Sequence, residues 1–118
     1  MKSFLFIINK APYSSDITKE TLDMAMSLAA FDQKVGLLFS GAGVWNLVDE
    51  QLPKLHGVKE FTRIIKGLDL YDIEELYLDS ESLIQNSLKI EQLFVNITSI
   101  NSAEKSILLQ QYDKVLCL

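Results

Sequence analysis

Four places in this 118-residue chain hold residue types that could do chemistry: Asp79, Cys117, His56 and the Gly41-Ala42-Gly43 run. Asp79 is the most informative because of its position in the pattern. A strand read over Glu75 to Leu78 passes directly into a helix starting at Ser80. Asp79 therefore falls at the carboxyl end of a strand and the amino end of a helix. Free backbone N–H groups and the helix dipole favour negative charge and reactive groups there. A thiolate would be activated at such a position, whereas a carboxylate can cap the helix. A third use, as the phosphate acceptor of receiver domains, draws some support from Thr98 at the end of the predicted fourth strand. That chemistry needs an acidic pair after the first strand to hold Mg²⁺, and Asn9-Lys10 stand there instead. It also needs a lysine after the fifth strand, and the sequence shows none. Asp79 reads as a helix cap.

The other three resolve to plainer roles. Cys117 lies in the apolar run Val115-Leu116-Cys117-Leu118, with no basic neighbour following, and is expected in the core as a small hydrophobe. His56 has neither a nucleophile nor an orienting partner close in sequence, so a solvated or capping role is expected. Gly41-Ala42-Gly43 follows a strand, but the dinucleotide fingerprint needs a glycine where Asn46 stands, and no Walker lysine follows. It reads as a tight turn. Tyr71, Tyr77, Trp45 and Phe94 are not spaced along a basic face and read as core or interface aromatics.

These positions are held by a repeating pattern. Phe4 to Ile8 is a continuous apolar run, the mark of a strand buried on both faces. Ala11 to Ser15 forms a loop, and Ser15 or Asp16 can cap a helix reaching Phe31. Ile17, Thr21, Met24, Leu28 and Phe31 make a stripe read as its core face. A second strand covers Lys34 to Ser40, and a short helical stretch Val44 to Val48. Pro53 and Gly57 punctuate the next region. A helix about Val58 to Lys66 shows Phe61, Ile64 and Ile65 on one face, with Gly67 as its C-cap. The predicted fourth strand is Leu93 to Thr98, and Asn101 with Glu104 forms a capping box for a last helix. Lys114 to Leu118 is the fifth strand. Strands alternating with helices predict one α/β domain over residues 1–118, a mostly parallel five-stranded sheet between helical layers, flavodoxin-like in class. The first strand should be interior. Phe6, Ile8, Leu37, Phe39, Leu78, Val95 and Val115 are the expected core, and the strand order stays open.

Composition sets the bounds. A net charge of −5 and scattered basic residues argue against direct nucleic-acid binding. One cysteine and one histidine exclude an internal disulfide and make a structural zinc site unexpected. No cofactor is expected. The longest apolar runs fall well short of a membrane span, and the opening MKSFLFIINK is too soon charged again for a signal peptide, so no membrane role and a cytoplasmic address are expected. Hydrophobic content of 48% raises the expectation of a partner covering one face, with Trp45 as a candidate anchor and Leu22, Met26 and Ala29 adding apolar surface on the first helix.

The sequence also resembles a known family. The opening strand followed by Ala11-Pro12, then Glu20-Thr21-Leu22-Asp23, Gly43-Val44-Trp45, Gly67 with Leu70-Tyr71-Asp72-Ile73-Glu74, and Tyr112-Asp113 are similar to the DsrE/DsrF/DsrH group of small sulfur-relay proteins. The similarity is greatest to its DsrF-type (TusC) branch. The Leu-Tyr-Asp-Ile-Glu segment is the most specific carrier, and Ala42 departs from the acidic residue often found after strand two. The resemblance implies a three-layer α/β/α fold and a hetero-oligomer, a heterohexamer, with TusB-like and TusD-like subunits. Such an assembly delivers persulfide sulfur through a TusE-like acceptor towards 2-thiolation of the tRNA wobble uridine. It also implies that Asp79 occupies the register of the cysteine that carries sulfur in catalytic relatives, which makes this chain a non-catalytic subunit. A free-standing α/β enzyme or ligand-binding module using Asp79 or Cys117 is the alternative.

Overall fold

The computed structural model describes residues 2–10, 17–48, 65, 67–93 and 97–117. The predicted helix over residues 58–66 (Ile65 apart), the capping residues Ser15 and Asp16, His56, Phe94 and Val95 lie outside these. Five strands form one sheet: β1 (Ser3–Ile8), β2 (Lys34–Phe39), β3 (Glu75–Asp79), β4 (Thr98–Ile100) and β5 (Lys114–Cys117). All four pairings are parallel and the order is β4-β3-β2-β1-β5. The predicted α/β architecture and the interior first strand are both present. Within that class the order is not the 2-1-3-4-5 of flavodoxin itself.

The order explains the layers. From β1 to β4 the chain advances in one direction, so right-handed crossovers lay their helices on one face. The step from β4 to β5 reverses across the whole sheet and puts its helix on the other. Three helices are described: α1 (Ile17–Ala30), α2 (Ser80–Gln85) and α3 (Ser102–Gln111). Alternate strand residues divide accordingly. Phe6, Ile8, Leu37, Phe39 and Leu78 pack in one buried cluster with Leu22, Ala25 and Ala29 of α1. Leu5 and Leu38 pack in a second with Ile100, Leu108 and Tyr112.

Several expectations need correction. Val115 is 38% exposed, not core, because β5 is an edge strand with β1 on one side only. The α1 stripe is displaced: Ile17, Met24 and Phe31 are exposed, and Thr21, Leu22, Ala25 and Ala29 face the sheet. Helix α1 carries apolar residues on two faces, and periodicity alone does not say which one the sheet takes. Gly67 has φ −98°, so it does not use the left-handed conformation of a glycine cap. Strand β4 starts at Thr98 rather than ending there, while Leu93 makes a lone antiparallel bridge to Val48. The Asn101–Glu104 capping box is formed on both sides, at 2.9 and 3.0 Å.

Candidate functional site

The carboxyl edge of the sheet gathers most of the polar side chains singled out above. Asp79 ends β3 in an extended conformation and its Oδ1 accepts from the backbone N–H of Glu81 at 3.1 Å, the capping bond that its sequence position predicts. Its other oxygen, Oδ2, lies 3.4 Å from Nζ of Lys105 on α3. Both carboxylate oxygens are thus engaged, one by the helix that follows and one by the helix of the neighbouring crossover. Ser102 donates to Oε1 of Glu81 at 2.9 Å and adds a second link between α2 and α3. Thr98 is two residues before Ile100, which is the residue paired with Asp79. The Asp–Thr arrangement of a phosphate-accepting site is therefore not assembled.

Beside Asp79, residues Gly41–Leu47 form a tight 3₁₀ turn after β2, as the glycines suggested, and not a cofactor loop with a following α-helix. Gly43 sits so close to the Ile8 carbonyl that a Cβ would overlap it. The turn is clamped to α2. The Gly41 N–H donates to Ser82 Oγ at 2.8 Å, and Asn86 Nδ2 donates to the carbonyls of Gly41 and Ser82 at 3.1 and 2.7 Å. Trp45 Nε1 donates to Asn86 Oδ1 at 3.1 Å. The Trp45 ring is half-buried against the main core, so part of it is structural and part faces solvent.

Asn46 is 2% exposed and its Nδ2 donates to the carbonyls of Lys10 and Gly43, both at 2.9 Å. Among the described residues, Asn46 Oδ1 and Asn9 Oδ1 are buried without a hydrogen-bond partner. Asn9 Nδ2 reaches Cys117 Sγ at 3.4 Å. Cys117 itself is exposed, against the expectation of a core thiol, because it ends the edge strand β5. No three His, Cys, Asp or Glu side chains come together as a metal site among the described residues.

The sequence located Asp79, Trp45 and the glycine turn, and missed Ser82, Asn86, Lys105, Asn9 and Asn46. Ser82 and Asn86 carried a signal, since positions four apart share a helix face. Lys105 and Asn9 carried none, because their roles depend on strand order.

The profile of the DsrE/DsrF-like family matches residues 2–118. A protein named TusC homolog from Pseudomonas aeruginosa is 31% identical over 117 residues, 99% of this chain and 98% of that protein. Another TusC homolog, from Haemophilus influenzae, is 32% identical over 111 residues, covering 92% and 91%. A Buchnera aphidicola protein named TusC is 29% identical with 98% of each chain covered. Two solved structures share the fold over the full length of both chains: the ychN protein from E. coli, with TM-score 0.79 at 18% identity, and a Methanobacterium thermoautotrophicum protein of unknown function, with 0.73 at 13%.

Proposed function

This chain belongs to the DsrE/DsrF-like family, and on that premise we propose that it is a non-catalytic subunit of a TusBCD-type sulfur relay. The relay passes persulfide sulfur towards 2-thiolation of the tRNA wobble uridine. The chain acts as a single domain over residues 1–118, in the cytoplasm, beside TusB-like and TusD-like subunits, and hands sulfur to a TusE-like acceptor only through the complex. The observation that carries this reading is Asp79. Family resemblance puts the sulfur-carrying cysteine at the end of β3, and here a carboxylate stands there with its oxygens bound to Glu81 N–H and Lys105. A carboxylate has no sulfur with which to form a persulfide.

Supporting features are physical. A net charge of −5 suits a subunit that does not touch tRNA. Among the described residues no helix is long and apolar enough to cross a membrane. Trp45 and Asp79, both at the carboxyl edge, are the residues proposed to meet a partner subunit. The half-exposed indole is a favoured kind of interface anchor, and Asp79 shapes the wall that a neighbour's reactive cysteine approaches.

A second reading draws on one observation: the only cysteine is exposed, with Asn9 Nδ2 beside its sulfur. On that reading Cys117 carries sulfur itself, in a free-standing enzyme or within the complex. Reconstitution separates the two. The complex is assembled with TusB-like and TusD-like subunits, charged with persulfide by a sulfur donor, and each chain is weighed by intact mass spectrometry. The proposal expects no sulfur adduct on this chain during turnover and near wild-type transfer with Cys117→Ser. Loss of transfer by that variant in an intact complex would overturn it.

A further inference from the structure

The amino end of the sheet, opposite the site just described, carries a cluster that the fold does not use. Phe31 directly follows α1 and is 78% exposed. Leu70 and Tyr71, on the 3₁₀ turn Leu68–Tyr71, are 84% and 52% exposed. Helix α1 runs back from the carboxyl to the amino end, so Phe31 stands just before β2 begins at Lys34. The turn stands just before β3 begins at Glu75, the next strand over. The two segments are neighbours, since α1 packs on the turn and Ala29 and Leu68 share the same buried cluster. Leu68 and Ile73 anchor the turn in the core. Leu70 and Tyr71 belong to neither buried cluster. Single exposed apolar residues are ordinary, but three on adjoining turns form a surface of the kind that binds.

The charge around them identifies what binds. Asp32, Asp69, Asp72 and Glu74 are all exposed on the same two segments and their flanks. Among the described residues, the cations at this end are Lys34, which pairs with Glu75 at 3.4 Å, and, at the β1–β5 side of the sheet, Lys2 beside the Asp113 carboxylate and Lys114 at the start of β5. Phe31, Leu70 and Tyr71 stand by β2 and β3, away from Lys2 and Lys114, so among the described residues the rim of the apolar cluster is acidic. A second copy packed isologously would set these carboxylates against themselves, and like charges in juxtaposition oppose association. Nucleic acid and anionic lipid are disfavoured by the same charge.

We propose that the Phe31–Leu70–Tyr71 surface docks a different protein chain, one presenting apolar side chains ringed by lysine or arginine. The proposal rests on the subunit reading for the identity of its probe. It gives the chain a second interface, at the far end of the sheet from Trp45 and Asp79.

The test uses full-length chain and the co-purified TusB-like and TusD-like subunits as the probe, with affinity measured by titration and masses by analytical ultracentrifugation. Phe31→Ser/Leu70→Ser and, separately, Asp69→Lys/Glu74→Lys alter only exposed side chains, and circular dichroism checks that each folds. Each double variant is expected to weaken binding by about tenfold or more, and wild-type affinity to fall with added salt as screening shortens the reach of the acidic rim. Wild-type binding by both variants, with the complex formed, would overturn this surface and leave the subunit reading standing. Failure of the wild-type chain to bind the probe at all would overturn both. Self-association of the isolated chain that Phe31→Ser/Leu70→Ser abolishes would assign the surface to a second copy and overturn the heterotypic proposal.

Discussion

Asp79 Oδ2 stands 3.4 Å from Lys105 Nζ, joining the end of β3 to the helix that crosses to the opposite face of the sheet. The Asp79 side chain is largely buried and Oδ1 caps α2 at the same time. Asp79→Ala removes both interactions and should destabilise the chain by about 1–2 kcal/mol, most of it from the lost cap. Asp79→Asn keeps an oxygen for the cap and gives up the charge, so it should cost less. Urea unfolding of the two variants measures the difference. Equal losses would mean that the ion pair, not the cap, holds this corner.

Trp45 and Asn86 form the second link at this edge. Asn86→Ala removes the acceptor of the Trp45 N–H and both donations to the carbonyls of Gly41 and Ser82. The Ser82 carbonyl keeps the backbone N–H of residue 86, so the cost is that of the clamp bonds to Trp45 and Gly41, roughly 1 kcal/mol each, and a total of about 2 kcal/mol is expected in urea unfolding. Trp45→Ala should cost a similar amount, because the ring also packs on the core. A loss of assembly by Trp45→Ala therefore has to be judged beside its own unfolding curve. A loss below about 0.5 kcal/mol for Asn86→Ala would show that the turn holds without the clamp.

How much of this was legible follows from what each feature depends on. Asp79 as a cap was readable because capping is local: a strand, one residue and a helix, all contiguous in sequence. The Asn101–Glu104 box was readable for the same reason. The fates of Val115 and Cys117 were not, since an apolar run looks alike at the centre and at the edge of a sheet. Only the reversal that sends β5 beyond β1 leaves them exposed. The displaced α1 stripe has a related cause. Two apolar stripes compete on that helix, and the choice is made by contact with Phe6 and Leu37, far away in sequence.

Tyr112 makes stability depend on alkaline pH. Its hydroxyl donates to Glu75 Oε2, and burial first, then the Glu75 hydrogen bond and nearby Tyr77, push its pKa well above the ordinary tyrosine value. Lys34, over the ring at 5.7 Å and paired with Glu75, is the cation of this group. The raised value means that, above about pH 10, the unfolded chain releases a proton that the folded chain keeps. Stability from this group is fully present below that pH and is lost as pH rises beyond it. Unfolding midpoints measured from pH 8 to about 11 should fall at the top of the range for wild type and fall less for Tyr112→Phe. Parallel curves would show that other groups control the alkaline limb.

Gly36 lies in β2 directly under that tyrosine. A Cβ at Gly36 would overlap the Tyr112 hydroxyl and come within 3.3 Å of Leu5 Cδ1. Glycine in a strand is ordinarily a weakness, and replacing it by alanine can gain a few tenths of a kcal/mol by restricting the unfolded chain. Here overlap opposes that gain, because the tyrosine is fixed by Glu75 on one side and by the Leu5–Leu38 cluster on the other. Overpacking should win, and Gly36→Ala should destabilise by about 1–3 kcal/mol. Removing the overlapping oxygen ought to relieve part of it. Gly36→Ala/Tyr112→Phe should therefore unfold closer to Tyr112→Phe alone than Gly36→Ala does to wild type, a coupling of at least about 0.5 kcal/mol between the two sites. Strict additivity in that double-mutant cycle would mean that β2 shifts to admit the methyl group, and that the Tyr112–Glu75 bond is not the rigid lid over Gly36 that its geometry describes.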